Sequence, residues 1–235
     1  MPGKRAVLFD LGGTLVEYYR REEFPQVLRE ALGEVGVRLR ARGLQVPPPD
    51  RLWRQAEAED HESSDFRVRP LAHRLRRIYE LPEEHGGAEL LDEACRGFLA
   101  PIFARARLYQ DALPVLRELR ARGVRTGIVS NTPWGSPAGP WHEEVRRLGL
   151  ADVTEAVIFC AEVGWRKPAR DIFLVALGRL GVEAQHALFV GDDPRWDLAG
   201  PRALGMEAIL LDRTGAFLEL EEARVTGLEG VLRLV

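Results

Sequence analysis

Five short apolar runs constrain this chain more than any other feature. They are Ala6-Val7-Leu8-Phe9, Thr126-Gly127-Ile128-Val129, Ala156-Val157-Ile158-Phe159, Ala187-Leu188-Phe189-Val190 and Ala208-Ile209-Leu210-Leu211. The runs are continuous rather than alternating, so each strand has to be covered on both faces, as parallel strands under helices are. Helical patterns closed by glycine lie between them: Leu113–Arg122 before Gly123, Trp141–Leu148 before Gly149, Ile172–Leu180 before Gly181 and Leu198–Leu204 before Gly205. Strand and helix in alternation, joined by right-handed crossovers, predict an α/β fold: a doubly wound, parallel, five-stranded Rossmann-like sheet.

One interval departs from that rhythm. From about Glu17 to Leu108 the sequence reads as charged amphipathic segments, near residues 22–42, 50–62, 71–80 and 88–104, with Pro47-Pro48-Pro49 as a break and no convincing strand. This predicts an all-helical domain, 17–108, inserted into an α/β core made of 1–16 and 109–235. Its charges nearly cancel, and most of them belong on a solvated face.

Composition excludes several classes. The chain has 235 residues, 46% hydrophobic and 29% charged, with a net charge of −3. That balance suits a globular protein with a real core and gives no electrostatic basis for nucleic-acid binding. No apolar run reaches the roughly 18–20 residues of a membrane span, and the first one is too short for the h-region of a secretory signal, about 7–15 residues. The expectation is a cytoplasmic protein with no membrane partner. Cys95 and Cys160 lack metal-ligand spacing and read as buried thiols.

Ligands of an open parallel sheet bind beyond the carboxyl ends of its strands. There stand Asp10-Leu11-Gly12-Gly13-Thr14-Leu15 after the first run, Ser130-Asn131-Thr132 after the second, Lys167-Pro168 after the third and Gly191-Asp192-Asp193 after the fourth, with Asp197 one turn on. Lysine and asparagine are scarce: beyond Lys4 there is only Lys167, and Asn131 is the single asparagine. Such a set supports Mg2+-assisted phosphoryl transfer. Magnesium takes hard oxygen ligands, here Asp10, Asp192 and the Gly12 carbonyl. A carboxylate such as Asp10 can attack phosphorus, Ser130 can bond the phosphoryl group, and Lys167 can neutralise charge on both. Asp193 and Asp197 support the site, Asp193 as a candidate helix cap and Asp197 as a candidate to orient Lys167 or a water.

These four motifs, in this order, resemble those of the haloacid dehalogenase superfamily of phosphohydrolases, and 17–108 sits where that family places a helical cap. The resemblance covers nearly the whole chain. It implies catalytic Asp10, Ser130 and Lys167, phosphate binding by Gly13, Thr14 and Asn131, a Mg2+ cofactor, and a small phosphorylated metabolite as substrate.

One position departs from the family. Its phosphatases carry a second aspartate, the general acid and base, two residues after the nucleophile; here Gly12 stands there. Glu17, His142 or a cap residue are the candidate surrogates, and without one the enzyme favours leaving groups that need no protonation. Family members that cleave phosphonates use a cap lysine, which this chain lacks between Lys4 and Lys167. The alternatives are a metal-independent 2-haloacid dehalogenase and a catalytically silent binding module of the same fold. A sugar-kinase phosphate loop, which Asp10–Thr14 alone also resembles, does not account for the later motifs. Within the cap, Arg67, Arg69, Arg74, Arg76 and Arg77 form either an exposed basic face or an anion-binding reach over the site. The Pro133–Trp141 loop follows Ser130-Asn131 directly and is placed to rim a pocket.

Overall fold

The computed structural model describes residues 3–59, 64–81 and 87–235. Strands β1 (Ala6–Phe9), β4 (Arg125–Ser130), β5 (Ala156–Phe159), β6 (Ala187–Gly191), β7 (Glu207–Leu211) and β8 (Arg224–Val225) form one parallel sheet in the order β5-β4-β1-β6-β7-β8. Five of the six are the apolar runs. The sixth, β8, corrects the five-stranded expectation. It is a half-buried Arg-Val pair added beside Leu210 and Leu211, too short and too polar to register as a strand in the sequence.

Alternate residues of β1 go to opposite faces. Val7 and Phe9 pack with Val115, Leu116 and Leu119 of α5 (Ala112–Ala121). Ala6 and Leu8 pack with Ile172, Phe173 and Ala176 of α8 (Arg170–Leu180). Helices α6 (Ala138–Arg147), α7 (Cys160–Val163), α9 (Pro194–Asp197) and α10 (Ala199–Ala203) complete the connections. Both cysteines are buried free thiols.

The segment after β1 is helical, as its periodicity requires: α1 (Phe24–Ala41), α2 (Pro49–Glu57), α3 (Leu71–Ile78) and α4 (Ala88–Phe103). The expected helix over 50–62 is described to Glu57, and residues 60–62 lie outside the described part. Val27, Leu28, Ala31, Leu32, Val35 and Leu39 form one stripe of α1, which buries against Phe98, Leu99 and Ile102 of α4. At the two ends of the segment stands an antiparallel ribbon of β2 (Val16–Glu17) and β3 (Arg107–Leu108). The reading of 17–108 as strand-free is corrected at these two positions; a two-residue ribbon has no periodicity to detect. Among the described residues no helix is long and apolar enough to cross a membrane.

Phe189 lies at the centre of this packing, fully buried, edge-on to Phe173 with ring centroids 5.2 Å apart. Phe189→Ala is expected to lower unfolding free energy by about 3–5 kcal/mol through loss of buried area and the cavity left behind, measured by urea denaturation.

Candidate active site

Strand register assembles the site. Phe9 pairs with Ile128 on one side and Val190 on the other. The residues just beyond, Asp10, Ser130-Asn131 and Asp192, therefore emerge along one sheet edge, where the chain turns back from β5 to β6 beside β1. The Asp10 amide extends the ladder by donating to the Val190 carbonyl at 2.9 Å.

The loop after Asp10 closes tightly. Leu15 and Val16 amides donate to the Leu11 carbonyl at 2.9 Å, and the Gly13 amide to that of Val16 at 2.8 Å. Gly13 has φ +81°, and a Cβ there would stand 2.2 Å from Asp192 Oδ2. Only glycine satisfies both the left-handed backbone and the close approach. Thr14 is buried and its hydroxyl donates to Asp192 Oδ1 at 3.1 Å. Gly191 has the same kind of role: a Cβ on it would meet Asp197 Oδ2 at 2.2 Å.

Lys167 is 2% exposed, with its Nζ 2.7 Å from Asp10 Oδ1 and 2.6 Å from Asp197 Oδ1. Asn131 braces it from behind. The Lys167 amide donates to Asn131 Oδ1 at 2.8 Å, and Asn131 Nδ2 donates to the Lys167 carbonyl at 3.3 Å. Asn131 thus spends its amide on positioning the lysine. Asp197 spends both oxygens, one on Lys167 and the other on the Asp193 amide at 3.0 Å. Asp193 turns outward, capping α9 through the Arg195 amide and pairing with the Arg195 guanidinium at 2.9 Å. Ser130 is buried at the cavity wall.

Carboxylate oxygens of Asp10, Asp192 and Asp197 lie within 4.8 Å of one another. Burial by itself lowers the Lys167 ammonium, but Asp10 and Asp197 more than reverse that and hold it charged. One ammonium does not neutralise three carboxylates. Burial, then the charges of Asp10 and Asp197, push Asp192 well above the carboxylate range, and burial is also the main cause that raises Asp197. Three carboxylates gathered around one ammonium form an all-oxygen cluster of the composition that a hard divalent cation takes, and such a cation would relieve the crowding of like charge that raises Asp192 and Asp197. Among the described residues, hydrogen bonds engage Asp10 Oδ1 and Asp192 Oδ1 and leave the Oδ2 atoms of both without a partner.

A cavity of about 470 Å3 opens over Asp10, Gly12, Gly13, Ser130, Asn131, Lys167 and Asp192. Thr132–Gly135 and Trp141 line it, so the loop after Ser130-Asn131 does rim the pocket. Of the arginine stretch, Arg67, Arg69 and Arg74 reach the cavity. Arg69 pairs with Asp65, Arg74 lies buried 3.6 Å from Glu59, and Arg67 stacks 4.2 Å over Trp165. Arg77 pairs with Glu59 instead. Glu17 and His142 do not line the cavity: Glu17 faces Arg107 in the ribbon and His142 lies 3.1 Å from Glu162.

Two residues at the site escaped the sequence reading. Tyr18 lines the cavity against Gly12. Arg213 donates to the Thr14 carbonyl at 3.1 Å and grips Asp111 at 2.8 and 2.9 Å, tying the end of β7 to the loop that carries Thr14. One arginine among many carries no local signal. Tyr18 lay just past the first motif, inside the segment read as solvated.

The fold has counterparts in known proteins. The family model of haloacid dehalogenase-like hydrolases matches residues 4–205, and the chain belongs to that family and is a hydrolase. It is 29% identical over 218 residues to a glyceraldehyde 3-phosphate phosphatase of Methanopyrus kandleri, covering 92% of this chain and 87% of that one. It is 27% identical over 241 residues to an (S)-2-haloacid dehalogenase of a Pseudomonas species, covering 98% and 94%. A 2-haloacid dehalogenase structure from Pseudomonas syringae superposes with a TM-score of 0.70 at 25% identity, covering 98% and 97%.

Lys167→Met removes the cation that two buried carboxylates share. It is expected to destabilise the protein by about 3–5 kcal/mol in a chemical unfolding titration.

Proposed function

We propose that this hydrolase is a Mg2+-dependent phosphohydrolase of small phosphorylated metabolites, acting in the cytoplasm through an aspartyl-phosphate on Asp10. The observation that carries the reading is the gathering of three carboxylates, Asp10, Asp192 and Asp197, within 4.8 Å of one another, a set that a metal-independent dehalogenase has no need of. In this reading residues 17–108 form the cap and the remainder the core. Asp10, Asp192 and the Gly12 carbonyl hold the cation, whose contribution is to neutralise phosphate and nucleophile charge so that they can approach.

Asp10 Oδ2 attacks phosphorus while Oδ1 stays bonded to Lys167. The bond from phosphorus to the leaving oxygen breaks, and its electron pair departs with that oxygen. Ser130, Gly13, Thr14 and Lys167 surround the transferring group, with Asn131 and Asp197 orienting the lysine. Water then attacks the aspartyl-phosphate, restoring the Asp10 carboxylate, and its proton leaves with the phosphate. Nothing at Gly12 donates to the leaving oxygen, a contribution of typically ~10²–10⁴ where an acid is present. Acyl phosphates and other good leaving groups are accordingly turned over faster than alkyl phosphates.

The full-length likeness to a haloacid dehalogenase favours a second reading, in which Asp10 displaces halide from a 2-haloacid without metal. One panel separates the two. Phosphate release from acetyl phosphate is expected to require Mg2+ and to vanish in Asp10→Asn, with Asp10 labelled in a single turnover. Metal-independent halide release from 2-chloropropionate would transfer the assignment to the dehalogenase.

A further inference from the structure

In-line displacement places the leaving group on the side of phosphorus away from Asp10, so the walls there select what the phosphate is attached to. The cavity over Asp10 is walled in part by Tyr18, Phe24, Ile102, Trp134 and Trp141. Tyr18 is the pivotal one. Its ring carbons Cδ2 and Cε2 lie 3.5 and 3.9 Å from where a Cβ on Gly12 would stand, while its hydroxyl lies farther off. The ring therefore flanks the nucleophile loop at the position that lacks an acid.

Tyr18 is not that acid. Its hydroxyl is buried with no hydrogen-bond partner among the described residues, and burial followed by the Glu144 carboxylate pushes the phenol far up, so it gives up its proton poorly. Glu144 and Arg147 weigh on it more than Asp10 does. The ring, not the hydroxyl, faces the chemistry. Trp141 holds it edge-on at 5.4 Å and is itself fixed by donating from Nε1 to Ser136 Oγ at 2.9 Å. This gives a rigid aromatic wall rather than an adaptable one.

We propose that the group lost from phosphate is aromatic, so that the substrate is the phosphate ester of a phenol, its ring seated against Tyr18. The inference rests on the phosphohydrolase reading and deepens it. Two independent features converge on this class. A phenol ionises near a pKa of about 10, far more readily than an aliphatic alcohol, so its oxygen leaves as the anion without a donor at residue 12. Its ring also matches the wall that stands in that place. Acyl phosphates satisfy the first requirement only, and sugar phosphates satisfy neither. In the step, the bond from Asp10 Oδ2 to phosphorus forms and the bond from phosphorus to the aryl oxygen breaks. The aryloxide keeps the electron pair and takes a proton from solvent water.

The test pairs binding with turnover on the full chain with Mg2+. Phenylphosphonate, which is not hydrolysed, is expected to bind about tenfold more tightly than methylphosphonate, followed by tryptophan fluorescence. Tyr18→Leu should reduce that ratio to about threefold or less, whereas Tyr18→Phe, which keeps the ring, should preserve it. Phenyl phosphate should exceed ethyl phosphate in kcat/KM by about 100-fold or more. Equal affinity of the two phosphonates, or loss of the ratio in Tyr18→Phe, overturns the proposal even while Asp10-dependent cleavage of acetyl phosphate stands. Absence of phosphate release from every compound, acetyl phosphate included, overturns the phosphohydrolase reading and this inference with it.

Discussion

The site depends on a single buried ammonium. Lys167 joins Asp10, from the end of the first strand, to Asp197, on the helix after the fourth core strand. Asp10 lies 157 residues before Lys167 and Asp197 lies 30 after it, and each group would be costly to bury alone. Together they can lie in the interior, and the helical turn, the asparagine brace and the loop from Leu11 to Val16 are arranged around them. The same pairing orients Asp10 so that one oxygen is engaged and the other faces the cavity. A third carboxylate, Asp192, joins them, and burial together with the charges of Asp10 and Asp197 raises it more than the lysine lowers it.

Glycine lets the carboxylates come this close. Side chains at Gly13 and Gly191 would enter the space of Asp192 and Asp197, so the backbone itself forms part of the site wall. Gly12 differs, because an added Cβ there would meet only the Tyr18 ring, at ordinary contact distance. The missing side chain at residue 12 is thus not demanded by crowding around the carboxylates. It accompanies an aromatic surface on the same flank.

Much of the architecture was legible because it depends on patterns a few residues long. Continuous apolar runs disclosed the five principal strands, and the gap between two of them disclosed the helical insertion. Asp10, Lys167 and Asp192 stand out in the sequence by their places at strand ends and by the rarity of lysine, and the structure brings them together. The β8 edge strand and the β2–β3 ribbon were missed because pairs of residues have no period; their strand geometry comes entirely from the partner they lie beside. Arg213 reaches the Thr14 carbonyl across 199 positions, which no local pattern encodes.

By itself the sequence determined which chemical groups stand at the ends of which strands, since side-chain type and strand period are local properties. Only the tertiary structure decided what those groups do to one another. Asn131 bonds the lysine backbone, Asp193 faces Arg195, Arg69 and Arg74 of the insertion pair with its own acids, and Arg67 stacks on Trp165 beyond it. The reason is physical: hydrogen bonds and ion pairs act over about 3 Å, and which atoms come within that distance is fixed by the packing of segments far apart in the chain.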